Sequence, residues 1–414
     1  MQTRTLWLSA WAVCCCCCCC AFSAIGQAEN WPGWRGPRGD GSSEEAKVPV
    51  TWSESKNIAW KVKLPYGGHS SPVVFGNRVF LVGANTAEPP SRVLMCLDFA
   101  SGKVLWEKVV VQSPLEKKHQ LNSWASGTPV TDGEKVYVSF LDQKDLLVSA
   151  YDFDGKEQWQ VRPGVFKSVH GFCSCPIIFE DKLIVNGDHD GESYIAGLKR
   201  TTGETVWKTP REYKTRSYCT PIIREIDGRT QMMLSGSKCV ASYDPRTGKQ
   251  LWMLDGPTEQ FVASLVYNKG LIFMTGGFPD HHVMAIDPRG SGKITNESHV
   301  KWHYTKKDSY VPSPIACGDY FLIVSDDGFG TCYHSESGKI EWQTRLGTHY
   351  SASLVTANGL VYFLDDHGLT KVIKPGPTLD VVAENQLNED TFASPAISQG
   401  RMLIRGTNSL YCIE

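Results

Sequence analysis

Short apolar runs bounded by turn residues alternate along most of this chain, and residues 313–342 show the pattern most clearly. Residues 321–324, FLIV, are four consecutive β-forming positions, and an Asp-Asp-Gly turn at 326–328 follows them. Asp tolerates and Gly permits the positive φ of a tight turn, so the run predicts a strand and then a hairpin. A later Ser-Gly turn leads to a last strand that carries Trp342. The pattern predicts a unit of four short strands.

Eight copies of this unit can be aligned along the chain. Each begins with a Ser, Thr or Cys that in most copies precedes Pro, and these starts are Ser71, Thr128, Cys175, Thr220, Ser264, Ser313, Ser353 and Ser394. Five copies carry a Trp four residues after a turn Gly, namely Trp106, Trp159, Trp207, Trp252 and Trp342. An insertion displaces Trp302, and the seventh copy has Val381 and Val382 instead. Periods of about 40 to 53 residues without helical periodicity are typical of propeller blades.

The two ends of the repeat region complement each other. The eighth copy stops at Glu414, after its third strand, and an unassigned strand that contains Trp60 precedes the first copy. We expect this N-terminal strand to complete the last blade, because closure removes the exposed edges of an open array. The predicted fold class is therefore all-β: an eight-bladed β-propeller closed by an N-terminal strand.

The first residues differ from the repeats. Arg4 precedes a long apolar run, and Gly26 and Ala28 occupy the −3 and −1 positions of a cleavage site, so residues 1–28 are predicted to be a secretory signal peptide. Seven consecutive cysteines at 14–20 behave there as small apolar residues and would leave with the peptide. Residues 11–14 match a lipoprotein signal poorly. We expect an exported protein, periplasmic or secreted, without a lipid anchor.

Two further regions follow the leader. Residues 29–56 are rich in Pro, Gly and Trp near their start, which predicts an irregular N-terminal arm over the propeller surface. Residues 57–414 form the predicted propeller. Eight cysteines remain in this mature chain. Cys96, Cys332 and Cys412 occupy one repeat position where other copies carry Ala, so we interpret them as small core residues, while disulfide pairing of the eight stays open.

Composition excludes some functions. The chain has 414 residues, 41% of them hydrophobic, and a formal charge of −2. It is not basic enough to predict nucleic acid as a partner, and no stretch after residue 28 is apolar for the length of a membrane helix. We expect no nucleic-acid partner and no transmembrane segment in the mature chain.

The repeats resemble a known family. Residues 243–252, YDPRTGKQLW, and 96–106, CLDFASGKVLW, match the Ala-x-Asp-x-x-Thr-Gly-x-x-x-Trp motif of the PQQ-like (pyrroloquinoline quinone) β-propeller repeats. The resemblance covers residues 57–414. It implies the propeller fold but not one activity, because the family includes quinoprotein dehydrogenases and non-catalytic scaffolds such as BamB of the outer-membrane barrel-assembly machinery.

One face of the propeller is the candidate site. Loops around the mouth of the central channel share that face. An aromatic ring lies within a few residues before each of the eight starts, and the set is His69, Trp124, Phe172, Tyr218, Phe261, Tyr310, Tyr350 and Phe392. These rings form either a collar that binds a partner, or wedges between adjacent blades.

Metal chemistry has weaker support. Histidines and carboxylates gather in the same loops, as at 188–191, 281–282, 326–327 and 365–367. Asp-Gly is also the ordinary turn of the repeat, and the spaced pair Cys173 and Cys175 lacks a second pair, so we expect no metal site.

Two functions fit the sequence. The quinoprotein dehydrogenases that this chain resembles hold PQQ against a disulfide of adjacent cysteines, and acidic and amide side chains hold calcium. The mature chain has no adjacent cysteines. The resemblance to the BamB-like, non-catalytic branch is therefore favoured. It implies an exported binding or scaffold protein, with an envelope protein or peptide as partner and no cofactor. The alternative is a PQQ-dependent dehydrogenase that oxidises alcohols or sugars, with PQQ and calcium as cofactors.

Overall fold

Eight antiparallel sheets stand around a central channel. The computed structural model describes residues 28–306 and 308–414. Almost all regular structure in these ranges is strand, and one short helix, α1 (Asn296–His299), interrupts it. The all-β, eight-bladed propeller predicted from the repeats is therefore confirmed. The predicted leader, apart from Ala28, lies outside the described residues, and the division into leader, arm and propeller stays a prediction.

The first four blades follow one another in chain order. A two-residue strand in the arm, β1 (Ser42–Ser43), and the strand β2 (Ile58–Lys63) precede them. Their strands, from the channel outward, are β3 (Val73–Phe75), β4 (Arg78–Asn85), β5 (Ser91–Asp98) and β6 (Val104–Gln112); β7 (Val130–Thr131), β8 (Lys135–Asp142), β9 (Asp145–Asp152) and β10 (Glu157–Val165); β11 (Ile177–Phe179), β12 (Lys182–Gly187), β13 (Tyr194–Lys199) and β14 (Thr205–Pro210); and β15 (Ile222–Ile226), β16 (Arg229–Gly236), β17 (Cys239–Tyr243) and β18 (Gln250–Asp255).

The last four blades contain the exceptions to simple repetition. Their strands are β19 (Val266–Asn268), β20 (Leu271–Gly276), β21 (His282–Ile286) and, after the insertion strand β22 (Gly292–Ile294), β23 (Val300–Tyr304); β24 (Ile315–Cys317), β25 (Tyr320–Val324), β26 (Phe329–His334) and β27 (Ile340–Arg345); β28 (Val355–Ala357), β29 (Leu360–Leu364), β30 (Leu369–Lys374) and β31 (Asp380–Gln386); and β32 (Ala396–Ser398), β33 (Arg401–Arg405) and β34 (Ser409–Ile413). The insertion that displaces Trp302 places β22 parallel to β18 of the preceding blade.

The N-terminal strand completes the eighth blade. β2 pairs antiparallel with β34, and Trp60 lies opposite Cys412. The eighth sheet therefore has the order β2-β34-β33-β32, with the two ends of the repeat region in one sheet. The closure predicted from the unassigned Trp strand is confirmed.

The Trp and Gly of the repeat motif meet across neighbouring blades. The ring of Trp60 covers Gly102 of the first blade, and its Nε1 donates a 3.0 Å hydrogen bond to the carbonyl of Phe99. The same contact recurs between blades as Trp106 on Gly155, Trp159 on Gly203, Trp207 on Gly248 and Trp302 on Gly338. These glycines have positive φ, and a Cβ atom there would strike the indole. The motif thus encodes the joint between blades.

Hydrogen bonds link six of the eight pairs of consecutive starting residues around the channel. The backbone N–H of one start donates to the side chain of the next, as from Ser313 to the Oγ atom of Ser353 at 2.9 Å. The same bond links Ser71 to Thr128, Thr220 to Ser264, Ser264 to Ser313 and Ser353 to Ser394 at 2.9 Å, and Thr128 to the Sγ atom of Cys175 at 3.2 Å. The donating N–H groups of these six starts lie outside the strands, so a small side chain with an acceptor atom at the next start satisfies them.

The N-terminal arm crosses the opposite end of the channel. Trp31 exchanges backbone hydrogen bonds with Val74 of the first blade, and Ser42 and Ser43 add β1 to the inner edge of the seventh blade. Between these points the buried guanidinium of Arg35 donates to the carbonyls of Pro314 and Leu354. Several blades thus hold this part of the arm, and the side chain of Trp34 reaches the channel.

The cores lie between adjacent blades and consist of aliphatic and aromatic side chains from the middle strands. Cys96, Cys332 and Cys412 are fully buried there, as their alignment with Ala predicted. All eight cysteines of the described residues are free thiols. Among the described residues, no helix is long and apolar enough to cross a membrane.

Candidate functional site

The central channel holds a cavity of about 630 Å³. Trp34 of the arm lines one end, and the exposed side chains of Leu121 and Phe278 line the other. The arm thus contributes to the cavity wall at the first end. This volume is in the range of roughly 300–1,000 Å³ that small ligands and single side chains of partners occupy.

A register rule decides which side chains face the cavity. In every blade, the residue two positions before the starting residue lines it, and these eight are His69, Ser126, Cys173, Tyr218, Val262, Val311, Ser351 and Phe392. Seven of the starting residues also line it; Ser264 does not. Successive side chains of extended backbone alternate in direction, so positions two apart face the channel together. The cavity wall is thus two stacked rings of residues.

The predicted collar divides according to this rule, with Tyr310 as the exception. His69, Tyr218, Tyr310 and Phe392 line the cavity. Phe172, Phe261 and Tyr350, each three positions before a start, are buried in the cores between blades. Trp124, four positions before its start, lies outside the cavity lining, where its Nε1 donates to the carbonyl of Glu116. The structure brings four of the eight rings to the channel, and their binding role stays a prediction.

The cavity-lining rings are held in place and uncharged at neutral pH. His69 stacks on Phe392 with 4.7 Å between ring centroids. Burial, together with the positive charges of Arg405 and Lys118, lowers the pKa of His69 to about 4. The hydroxyl of Tyr218 lies 2.6 Å from the Oγ atom of Ser168. Burial raises the pKa of Tyr310 to about 12. The wall therefore presents neutral aromatic surface to a ligand.

Arg216 is the permanently charged cation of the lining. Its Nη1 lies 2.8 Å from both carboxylate oxygens of Asp190, and its buried Nε has no hydrogen-bond partner within the described ranges. His170 and His119 lie beside it with ring centroids 5.7 Å apart. Burial first, and then the charge of Arg216, lower the pKa of His170. This side of the cavity thus carries a cation whose charge is already paired with Asp190.

Two carboxylates brace the loops at the mouth. Asp326 accepts the backbone N–H of Tyr310 at 2.8 Å and of Val311 at 3.2 Å, and burial raises the pKa of Asp326. Asp366 accepts the N–H of Ser351 at 2.7 Å, and its Oδ2 lies 2.6 Å from the Nδ1 atom of His349. The sequence assigned both carboxylates to turns. The structure adds that they fix the positions of Tyr310 and His349.

The residues present do not fit PQQ with calcium. PQQ carries three carboxylates, whereas the one guanidinium of the described lining is already paired with Asp190. Calcium takes six to eight oxygen ligands, and both oxygens of Asp326 already accept backbone N–H groups. Within 28–306 and 308–414, no group of three His, Cys, Asp or Glu side chains is placed to hold a metal ion. No chemical step is therefore assigned to that cofactor.

Several residues that line the cavity were not predicted from the sequence. Trp34 comes from the arm, His119 and Arg216 come from long loops between blades, and Phe278 comes from the loop between β20 and β21 of the fifth blade; no repeat position marks them. Val262 and Val311, in contrast, follow from the two-position rule. Counting back two residues from each start would have found the wall from the sequence.

Comparisons with known proteins agree with this architecture. A sequence model of the family described as "Outer membrane protein assembly factor BamB" matches residues 90–277. No curated protein matches the chain significantly. The molecule is an eight-bladed β-propeller with a central cavity. Within that class, residues 90–277 of the chain are similar to the PQQ-like β-propeller repeat family.

Solved structures share the fold at low sequence identity. BamB from Moraxella catarrhalis superposes with a TM-score of 0.61 at 12% identity, covering 86% of this chain and 96% of that one. A europium-containing methanol dehydrogenase has a TM-score of 0.56 at 12% identity, covering 92% and 90%. The computationally designed protein Ika8 has a TM-score of 0.60 at 12% identity, covering 85% and 98%. Likeness at this identity establishes the fold alone.

Proposed function

We propose that the protein is an exported, non-catalytic scaffold that binds a segment of an envelope protein at the mouth of its channel. The similarity of residues 90–277 to the assembly-factor family supports the scaffold class. The observation that carries the proposal is the mouth itself. Leu121 and Phe278 are 43% and 55% exposed there and continue into a cavity walled by neutral rings.

The chemistry of the mouth favours a peptide segment as the occupant. Exposed apolar side chains around an aromatic pocket are typical of sites that bury one anchor side chain of a partner. His69, Phe392 and Tyr218 offer ring faces to an apolar or aromatic anchor. Arg216, which also lines the cavity, adds a cationic group paired with Asp190 to this wall. The anchor would enter the cavity while the rest of the segment covers the mouth.

The alternative function, a PQQ-dependent dehydrogenase, requires groups that a binding pocket does not need. It needs counter-charges for three carboxylates and an oxygen cage for calcium. The described lining supplies Arg216, already paired with Asp190, and the carboxylate of Asp326, whose two oxygens already accept backbone N–H groups. A binding pocket needs neither of these groups, so the same residues favour the scaffold.

Two measurements test the proposal on the purified mature protein. Pull-down from envelope extract, followed by mass spectrometry, should recover a defined partner, and Phe278→Ser should abolish the recovery. Arg246→Ser, at an exposed ion pair with Glu180 that lies outside the cavity lining, is the control and should leave it unchanged. Titration with PQQ and calcium should produce neither binding nor dye reduction by alcohols or sugars. Tight PQQ binding with turnover would overturn the scaffold in favour of the dehydrogenase.

A further inference from the structure

Glu45 of the arm is a buried carboxylate without a cation. Glu45 is 3% exposed. It accepts the backbone N–H of Gln399 at 2.5 Å and that of Gly400, in the turn between β32 and β33. Arg38, a cation of the same arm, pairs with Glu29 and Glu44, and no side-chain cation of the described residues pairs with Glu45. Buried charges are normally paired with an opposite charge, and Glu45 has no such cationic partner among the described residues.

The third donor to Glu45 is the backbone nitrogen of Glu29. That nitrogen lies 2.9 Å from the Oε1 atom of Glu45. Glu29 is the residue that follows the predicted cleavage site at Ala28, and Ala28 itself is exposed. In the uncleaved chain this nitrogen is a neutral amide. In a chain that begins at Glu29 it is an α-amino group, whose ordinary pKa is about 7.7–8.0, so it carries a positive charge at neutral pH.

We propose that removal of the leader after Ala28 creates an α-ammonium group at Glu29 that forms an ion pair with the buried carboxylate of Glu45. A leader peptidase hydrolyses the bond between Ala28 and Glu29. Water supplies the hydroxyl that becomes part of the Ala28 carboxyl group, and the released nitrogen of Glu29 takes a proton. The new charge then compensates Glu45, and the cleaved terminus is fixed to the eighth blade.

The surroundings of Glu29 position its nitrogen for this contact. Its carboxylate forms hydrogen bonds of 2.7 and 2.8 Å with Arg38 and accepts the N–H of Glu44 at 2.8 Å. Its carbonyl accepts the hydroxyl of Ser398 in the eighth blade at 2.7 Å. The residue is thus held from three sides, and cleavage changes the charge of its nitrogen without moving it. The inference shares export with the proposed function but does not depend on the cavity.

The test begins with the chain as the cell makes it. The full chain is produced with its own leader, purified after export, and its first residue is determined by mass spectrometry. Glu29 is the expected first residue, and any other would overturn the inference while leaving partner binding at the cavity untouched. Retention of the uncleaved chain inside the cell would instead contradict export, on which both proposals depend.

The ion pair is then measured by the reactivity of the α-amino group. An amine reagent at pH 7 should label the terminus of the processed protein at least about tenfold more slowly than that of Glu45→Gln, because pairing raises the pKa of the amine by one unit or more. Glu44→Gln, at a neighbouring exposed carboxylate, is the matched control and should label at the wild-type rate. Equal rates in wild type and Glu45→Gln would overturn the pairing.

A second comparison does not depend on a substitution at Glu45. A leaderless chain that begins with Met before Glu29 places its amine one residue further away, about 3.8 Å along the backbone. The processed form should have the higher melting temperature at pH 7, and the difference should disappear as the pH rises above the raised pKa of the amine. The sign follows because a group whose pKa is raised by folding stabilises the protein only while it is protonated. Identical melting temperatures at pH 7 would contradict the pairing.

Discussion

Trp60 lies so close to Gly102 that a Cβ atom at residue 102 would be 2.6 Å from the Cε3 atom of the indole. Trp60 belongs to the strand that closes the eighth blade, and Gly102 to a turn of the first blade. The contact therefore joins the two blades between which the ring is sealed. The other Trp–Gly contacts repeat it within the ring, but here the partners belong to the first and last blades.

Gly102→Ala should destabilise the protein more than an equivalent change at a free turn. Gly359 has the same φ of +72°, and a Cβ atom there would meet no other atom within 4 Å, so Gly359→Ala measures the cost of a left-handed alanine alone. We expect about 1 kcal/mol for Gly359→Ala and a further loss of about 1–3 kcal/mol for Gly102→Ala from the overlap with Trp60. Urea denaturation of both variants checks this. Equal losses would mean that the Trp60 contact does not constrain the turn.

Arg405→Met should be strongly destabilising. The buried guanidinium of Arg405, in the eighth blade, donates to the carbonyl of Ser70 at 3.1 Å, to its hydroxyl at 2.6 Å and to the carbonyl of Val82 at 2.9 Å in the first blade. Methionine fills the space but removes these three hydrogen bonds between the eighth and first blades, so we expect a loss of about 2–4 kcal/mol in the free energy of unfolding. Arg401→Met, on the same strand at a partly exposed ion pair, should cost about 1 kcal/mol or less. A cost at Arg405 no larger than at Arg401 would contradict the bridging role.

Stability should fall as the pH falls from about 6.5 towards 4, partly through His69. In the unfolded chain His69 binds a proton below its ordinary pKa of about 6.5. In the folded protein burial delays protonation to a pKa of about 4. The unfolded state therefore binds more protons in this window, and each unit of pH removes up to about 1.4 kcal/mol. Above pH 6.5 the group has no effect.

The variant His69→Phe isolates this contribution, because phenylalanine keeps a ring against Phe392 and cannot bind a proton. Its stability between pH 4 and 6.5, measured by urea denaturation, should depend less steeply on pH than that of the wild type. Burial also lowers the pKa values of His170, His282 and His303, so part of the slope should remain. An unchanged slope would show that His69 is accessible to protons in the folded state.

Tyr310→Ala and Tyr350→Ala should have different effects. Tyr350 is fully buried between blades, so its truncation leaves a cavity and should cost about 3–5 kcal/mol. Tyr310 is half-buried and lines the channel, so its truncation should weaken recovery of the envelope partner at a smaller cost in stability. Thermal unfolding and pull-down of both variants make the comparison. A loss at Tyr310 as large as at Tyr350, with partner recovery intact, would assign both rings to the wedge role.

The blades and the closure could be predicted because their determinants repeat. The turn glycine, the Trp four residues later and the small starting residue recur in most copies, and each meets its counterpart in the next blade. The pairing of β22 with β18 could not be predicted, since it depends on a single insertion that folds back on the preceding blade. The path of the arm depends on one buried cation, Arg35, whose acceptors are backbone carbonyls without a sequence signal.

The site was predicted only in part. The rings were located near the correct loops, but a shift of one position decides between the channel and the core. His69 lies two residues before its start and faces the cavity, whereas Tyr350 lies three before and is buried. Tyr310 breaks this rule, because Asp326 holds its backbone and turns the ring to the channel. Such bracing by a distant carboxylate cannot be read from the repeat alone.

The pairing of β2 with β34 sets an order for folding. Of the four strands of the eighth blade, β2 is synthesised first and β34 last. The strand at residues 58–63 therefore has no partner until nearly the whole chain exists. Contacts of such long separation form slowly, because most of the chain must be ordered before they can stabilise it. Until β34 is synthesised, the nascent chain has unpaired strand edges at both ends of its blades. A chaperone that binds β2 during synthesis would therefore reduce aggregation.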